Sequence, residues 1–94
     1  MSVAPSLKRE LEIVNKLGLH ARASAKFVAC VAAHDAKVTV TRDDVSVDGA
    51  SIMGLMMLAA APGCCIIVET EGPQAEEALE ALTKLVADKF GEED

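Results

Sequence analysis

The chain has 94 residues, 51% of them hydrophobic but only 2% aromatic, and its 9 basic and 15 acidic side chains leave a net charge of −6. That length supports one domain over residues 1–94, with a modest core built from Ala, Val, Leu, Ile and Met. Acidity with few rings argues against a nucleic-acid partner, which needs clustered cations and stacking surfaces, and no apolar run is long enough to span a membrane.

Met1 to Ser6 reads as a loose leader without the charged-then-apolar pattern of an export signal. Leu7 to Val14 alternates, with Leu7, Leu11 and Ile13 opposite Lys8, Glu10 and Glu12, which predicts a half-buried strand. Asn15 to Leu19 is a loop. A helix follows from Ala21 to about Ala33, with Ala21, Ala25, Val28, Ala29 and Ala32 as a small-residue packing face. Ala36–Thr41 and Val45–Asp48 flank the turn Arg42-Asp43-Asp44 as a hairpin. Gly49-Ala50 breaks the second strand. Ser51 is the expected N-cap of a short helix through about Ala59, with Pro62-Gly63 after it. Cys65–Glu71 is another strand. Gly72-Pro73 opens a last helix over Gln74–Phe90, cored by Ala75, Ala78, Leu79, Leu82, Leu85, Val86 and Phe90, with a Glu80–Lys84 pair and Gly91 as C′. Residues 91–94 read as an acidic tail. The order β-α-β-β-α-β-α predicts an α+β open-faced β-sandwich: a four-stranded, mainly antiparallel sheet with three helices on one face.

The segment with the most chemistry is Gly18-Leu19-His20-Ala21-Arg22, where a glycine turn runs into a helix. A helix start presents free N–H groups and the positive end of the macrodipole, a natural anion site. His20 there is a nucleophile beside a phosphate pocket, and Arg22 adds a forked, permanently charged donor. Charge is unevenly spread: residues 1–42 hold seven Lys/Arg against three acids, whereas residues 43–94 hold two against twelve. Lys16, Arg22 and Lys26 therefore make a basic neighbourhood on an acidic chain, suited to an acidic partner or a phosphoryl group. The three cysteines, with Cys64 and Cys65 adjacent, fit neither a disulfide framework nor a metal knuckle. The expectation is reduced, buried or half-buried thiols, no metal, no cofactor and a cytoplasmic location.

The element order, the Gly18–Arg22 motif and Ser51-Ile52-Met53-Gly54-Leu55, about thirty residues further on, together resemble HPr. That family comprises the histidine-containing phosphocarriers of the bacterial phosphoenolpyruvate-dependent phosphotransferase system. The likeness runs from about residue 8 to 90. The methionine-rich helix and Gly72-Pro73-Gln74-Ala75-Glu76 look closer to the family's nitrogen-regulatory branch. The resemblance implies that His20 carries a phosphoryl group on Nδ1, received from enzyme I and passed to an enzyme IIA-type acceptor. It implies Arg22 as the accompanying arginine and Ser51 as a regulatory site for an HPr kinase/phosphorylase. One departure is Ala23, where the family usually has proline; that exchange loosens the first turn without removing chemistry.

Each motif also has a plainer account. A lone histidine beside a glycine is commonly a surface residue, and Ser51 alone would be read as a cap. The rival function is a non-catalytic binding module controlled only through Ser51, which leaves the pairing of His20 with Arg22 unexplained. His34, at the end of the first helix, suits the negative dipole end and is assigned no role. In the short helix, Leu55 and Leu58 are expected in the core. Ile52, Met53 and Met56, with Ala25 from the neighbouring helix, form the expected docking patch, since methionine adapts to unlike partners.

Overall fold

Alternating side chains in four segments give four strands in the computed structural model, which describes residues 6–92. They are β1 (Ser6–Glu12), β2 (Lys37–Arg42), β3 (Val45–Asp48) and β4 (Cys65–Glu71), all paired antiparallel in the order β1-β4-β2-β3. The register sets Arg9, Val68, Val40 and Val47 in one cross-sheet row, while Lys8, Glu69, Thr39 and Asp48 form a row on the opposite face. Three helices cover the apolar face: α1 (Ala21–Ala32), α2 (Ile52–Met57) and α3 (Ala75–Ala87). This is the α+β open-faced sandwich expected, and among the described residues no helix is long and apolar enough to cross a membrane.

Ser6, expected in the leader, pairs with Glu71 as the first residue of β1, and residues 1–5 lie outside the described residues. The hairpin turns through Asp43 at φ +54°, in the left-handed region that aspartate tolerates better than most side chains. α2 ends at Met57, short of Ala59, which adopts φ +51°.

The packing face of α1 differs from the expected one. Ala23, Ser24, Phe27 and Val31 are buried, whereas Ala21, Ala25, Ala29 and Ala32 are exposed. A methyl group gains little from burial, so alanines do not set a helix's rotation; the ring of Phe27 does.

α3 also stops earlier than expected. It ends at Ala87, and Lys89–Gly91 form a 3₁₀ turn in which Lys89 and Phe90 stand at φ +56° and +55°. Each left-handed non-glycine residue costs roughly 1–2 kcal/mol. The turn drops Phe90 into the core at 1% exposure, a burial that contributes roughly 1.5–3 kcal/mol. The Lys26 ammonium adds a hydrogen bond to the Phe90 carbonyl at 2.6 Å. Glu80, expected to pair along the helix with Lys84, instead meets Arg9 of β1 at 3.3 Å, and Arg9 also donates to the Thr83 hydroxyl at 3.0 Å.

Candidate functional site

Backbone geometry just ahead of α1 determines where His20 stands. Gly18 adopts φ +63°, and a Cβ there would lie 2.2 Å from the Ala60 carbonyl oxygen; only glycine allows that approach. The adjacent Leu19 amide donates to the same oxygen at 2.9 Å, and the buried Ser24 hydroxyl donates to the Leu19 carbonyl at 3.3 Å. Held from both sides, the chain places His20 as the N-cap of α1, where its Nδ1 accepts the Arg22 backbone N–H at 3.2 Å.

The imidazole is oriented at its other nitrogen too: Nε2 faces Glu92 Oε2. A nitrogen that accepts an amide proton carries a lone pair, so this network assigns the proton to Nε2, toward the carboxylate. Nδ1 is left as the nucleophilic atom, directed at the start of α1. The first-turn amides of a helix lack intrahelical acceptors, so anion donors stand beside it.

A shallow depression at His20 is lined by Lys16, Leu17, Arg22, Lys26 and Glu92 among others. The basic neighbourhood expected from the sequence is therefore assembled in space. Lys26 serves in part to hold the C-terminal turn through the Phe90 carbonyl. Ala23 is fully buried beneath the first turn.

Ser51 is the N-cap of α2: its hydroxyl oxygen accepts the Gly54 amide at 3.0 Å, and its own amide donates to Asp48 O at 3.0 Å. Leu55 and Leu58 are buried as expected; Ile52, Met53 and Met56 are exposed, and so is Ala25. Met57 and Leu17 are also exposed, at 75% and 68%, and extend the apolar patch. The Arg42 guanidinium donates to the carbonyls of Leu58 and Ala59 at 2.8 and 3.2 Å, tying the end of α2 to β2 just ahead of Ala60. Through the Ala60 carbonyl, which accepts the Leu19 amide, the segment after α2 is tied to the loop that carries His20.

His34 donates from Nδ1 to the Cys30 carbonyl at 2.9 Å, near the C-terminus of α1 and away from this surface. Cys30 and Cys64 are half-buried, but Cys65 is exposed on β4 rather than sheltered, which corrects the expectation for that thiol. Its pKa is raised by local desolvation first, then by the Glu10 and Glu12 carboxylates and by Cys64. Among the described residues no group of three or more His, Cys, Asp or Glu could hold a metal ion.

Glu92 and Asn15 join the site without any local sign of it in the sequence. Glu92 belongs to the expected acidic tail, yet it is half-buried against His20; Glu93 and Asp94 lie outside the described residues. Nothing local marks Glu92, because its partner is 72 positions away.

Comparison with known proteins agrees with this fold. A family model described as the PTS HPr component phosphorylation site matches residues 7–88. The phosphocarrier protein HPr of Neisseria meningitidis is 55% identical over 86 residues, covering 92% of this chain and 97% of that protein. The phosphocarrier protein NPr of Shewanella violacea is 40% identical, covering 92% of this chain and 94% of that protein. A crystal structure of HPr from Thermoanaerobacter tengcongensis superposes with a TM-score of 0.89 at 40% identity, covering 94% of this chain and 99% of that one.

Proposed function

The chain belongs to the HPr family of phosphotransferase-system phosphocarriers, and on that premise we propose that His20 is its phosphoryl-accepting residue. Members of the family interact with enzyme I and enzyme IIA proteins. Here enzyme I is the proposed donor and an enzyme IIA-type protein the proposed acceptor. We propose the cytoplasm as the location of the relay, a reading that three free thiols support.

The observation that carries this reading is the orientation of one ring: Nδ1 toward the Arg22 amide and Nε2 toward Glu92. In transfer, the Nδ1 lone pair attacks the phosphorus of a donor phosphohistidine. The Nδ1–P bond forms as the donor N–P bond breaks, and that bond's electron pair returns to the donor ring. The Nε2 proton stays in place, so the positive character gained by the ring faces a carboxylate. The Arg22 amide turns from Nδ1 to a phosphoryl oxygen, and the Arg22 guanidinium and first-turn amides stabilise the charge that arrives. Leu17, Ala25, Ile52, Met53, Met56 and Met57 supply the apolar surface on which partners dock.

Ser51 is the proposed regulatory site, open to an HPr kinase/phosphorylase. A phosphate at a helix start is locally tolerated, yet it places charge beside Ile52 and Met53, where a partner must exclude water. The primary test is incubation with enzyme I and phosphoenolpyruvate followed by intact mass. An acid-labile phosphoryl adduct is expected and should vanish in His20→Ala; an adduct surviving in that variant transfers the role to His34.

A further inference from the structure

Asn15 is completely buried in the loop before the site. Its Nδ2 donates to the Gly18 carbonyl at 2.8 Å and to Glu92 Oε1 at 3.1 Å, while Glu92 Oε2 meets His20 Nε2. Both neighbours of that amide are acceptors, so only the NH₂ end can face them; the flipped amide would set oxygen against oxygen. Its Oδ1 meets no hydrogen-bond donor among the described residues. Burying an amide oxygen in that state is unfavourable, so what the side chain contributes lies in its two N–H groups. One braces the Gly18 turn. The other reaches the carboxylate that orients the histidine.

We infer that Asn15 is a positioning residue for phosphoryl transfer: it holds Glu92 so that Nε2 of His20 keeps its proton and the Nδ1 lone pair stays aimed at the start of α1. This rests on His20 as the phosphoryl acceptor. The arrangement is a chain of three side chains, amide to carboxylate to imidazole. A carboxylate that fixes the tautomer of a nucleophilic or metal-binding imidazole is a recurrent device. Here the carboxylate sits on the last described turn of the chain, and Asn15 ties it to the loop that carries the histidine.

The test uses the full chain labelled with ¹⁵N, in four forms: parent, Asn15→Ala, Glu92→Ala and the double variant. Imidazole ¹⁵N spectra of the unphosphorylated protein report the tautomer of His20, and the rate of phosphorylation by enzyme I is read at sub-saturating protein. The parent should show a proton on Nε2. Asn15→Ala should mix the tautomers and slow transfer by about tenfold, the scale of a hydrogen bond to a charged group. Because Asn15 acts on the ring through Glu92, removing it should slow transfer less in the Glu92→Ala background than in the parent, the remainder being loss of the Gly18 brace. A tautomer unchanged in Asn15→Ala, or losses that multiply in the double variant, would overturn the inference and leave Asn15 as a brace for Gly18 alone. If Asn15→Ala does not fold, Glu92→Gln carries the test, since Glu92 lies outside the core: the Asn15 side-chain amide and His20 ring signals should then move together, and an unmoved Asn15 amide refutes the link. A parent protein that accepts no phosphoryl group would instead sink the proposed function, while the tautomer measurements stay readable without it.

Discussion

Gly18→Ala is the sharpest single perturbation of the loop that presents His20. The added Cβ would lie 2.2 Å from the Ala60 carbonyl oxygen and 3.0 Å from Ala61 Cα, both backbone atoms with no side-chain freedom to yield. Alanine at φ +63° costs roughly 1–2 kcal/mol before any clash. Relieving the clash separates the two segments and breaks the Leu19 amide bond to Ala60, a further loss of about 1 kcal/mol or more for a buried donor. Together these give about 3 kcal/mol, a large part of the roughly 5–15 kcal/mol that stabilises a small domain. Urea unfolding followed by circular dichroism should show a midpoint lowered by roughly 1–3 M at a typical slope. Thermal unfolding should fall by about 12–24 °C at the usual conversion for a domain this size. Transfer from enzyme I should slow as well, measured below the melting point, because the His20 ring no longer meets the Arg22 amide and Glu92 together. A variant within about 0.5 kcal/mol of the parent, a shift typical of neutral surface substitutions, would refute the claim that this close approach positions the site.

Ser51→Ala should lower stability by about 1 kcal/mol through loss of the cap on Gly54, whereas Ser51→Asp keeps the cap and melts near the parent. The aspartate should nevertheless slow phosphorylation by enzyme I, with part of the rate recovered as salt rises; a phosphoserine form accepted as fast as the parent leaves Ser51 a cap only. Arg22→Lys retains charge but not the guanidinium fork, so transfer should slow with little change in melting temperature, and unchanged kinetics would reduce Arg22 to a member of the basic patch. The pKa of Cys65 is raised, so its thiolate fraction near neutrality is below that of an ordinary exposed cysteine. Its alkylation rate should rise only at higher pH, and Glu10→Gln with Glu12→Gln should move that rise to lower pH; an unshifted profile would remove the carboxylates as a cause.

The features legible before any folding are those that neighbouring residues settle among themselves. β4 runs over Cys65–Glu71 as expected, and Ser51 caps α2 with a bond to an amide three residues on. Gly18 and His20 were legible for the same reason, since a glycine turn entering a helix is a local pattern. The remaining features depend on contacts between distant segments. The rotation of α1 followed Phe27, because alanines gain too little from burial to choose a face. α3 broke at Ala87 because the chain had to turn for Phe90 to reach the core, and Arg9 drew Glu80 away from Lys84 because β1 lies beside the helix. The contact of Glu92 with His20 and Asn15 spans more than seventy positions. It forms only after the α3 turn has carried the end of the chain back to the start of α1, and a short-range pattern holds no trace of that path.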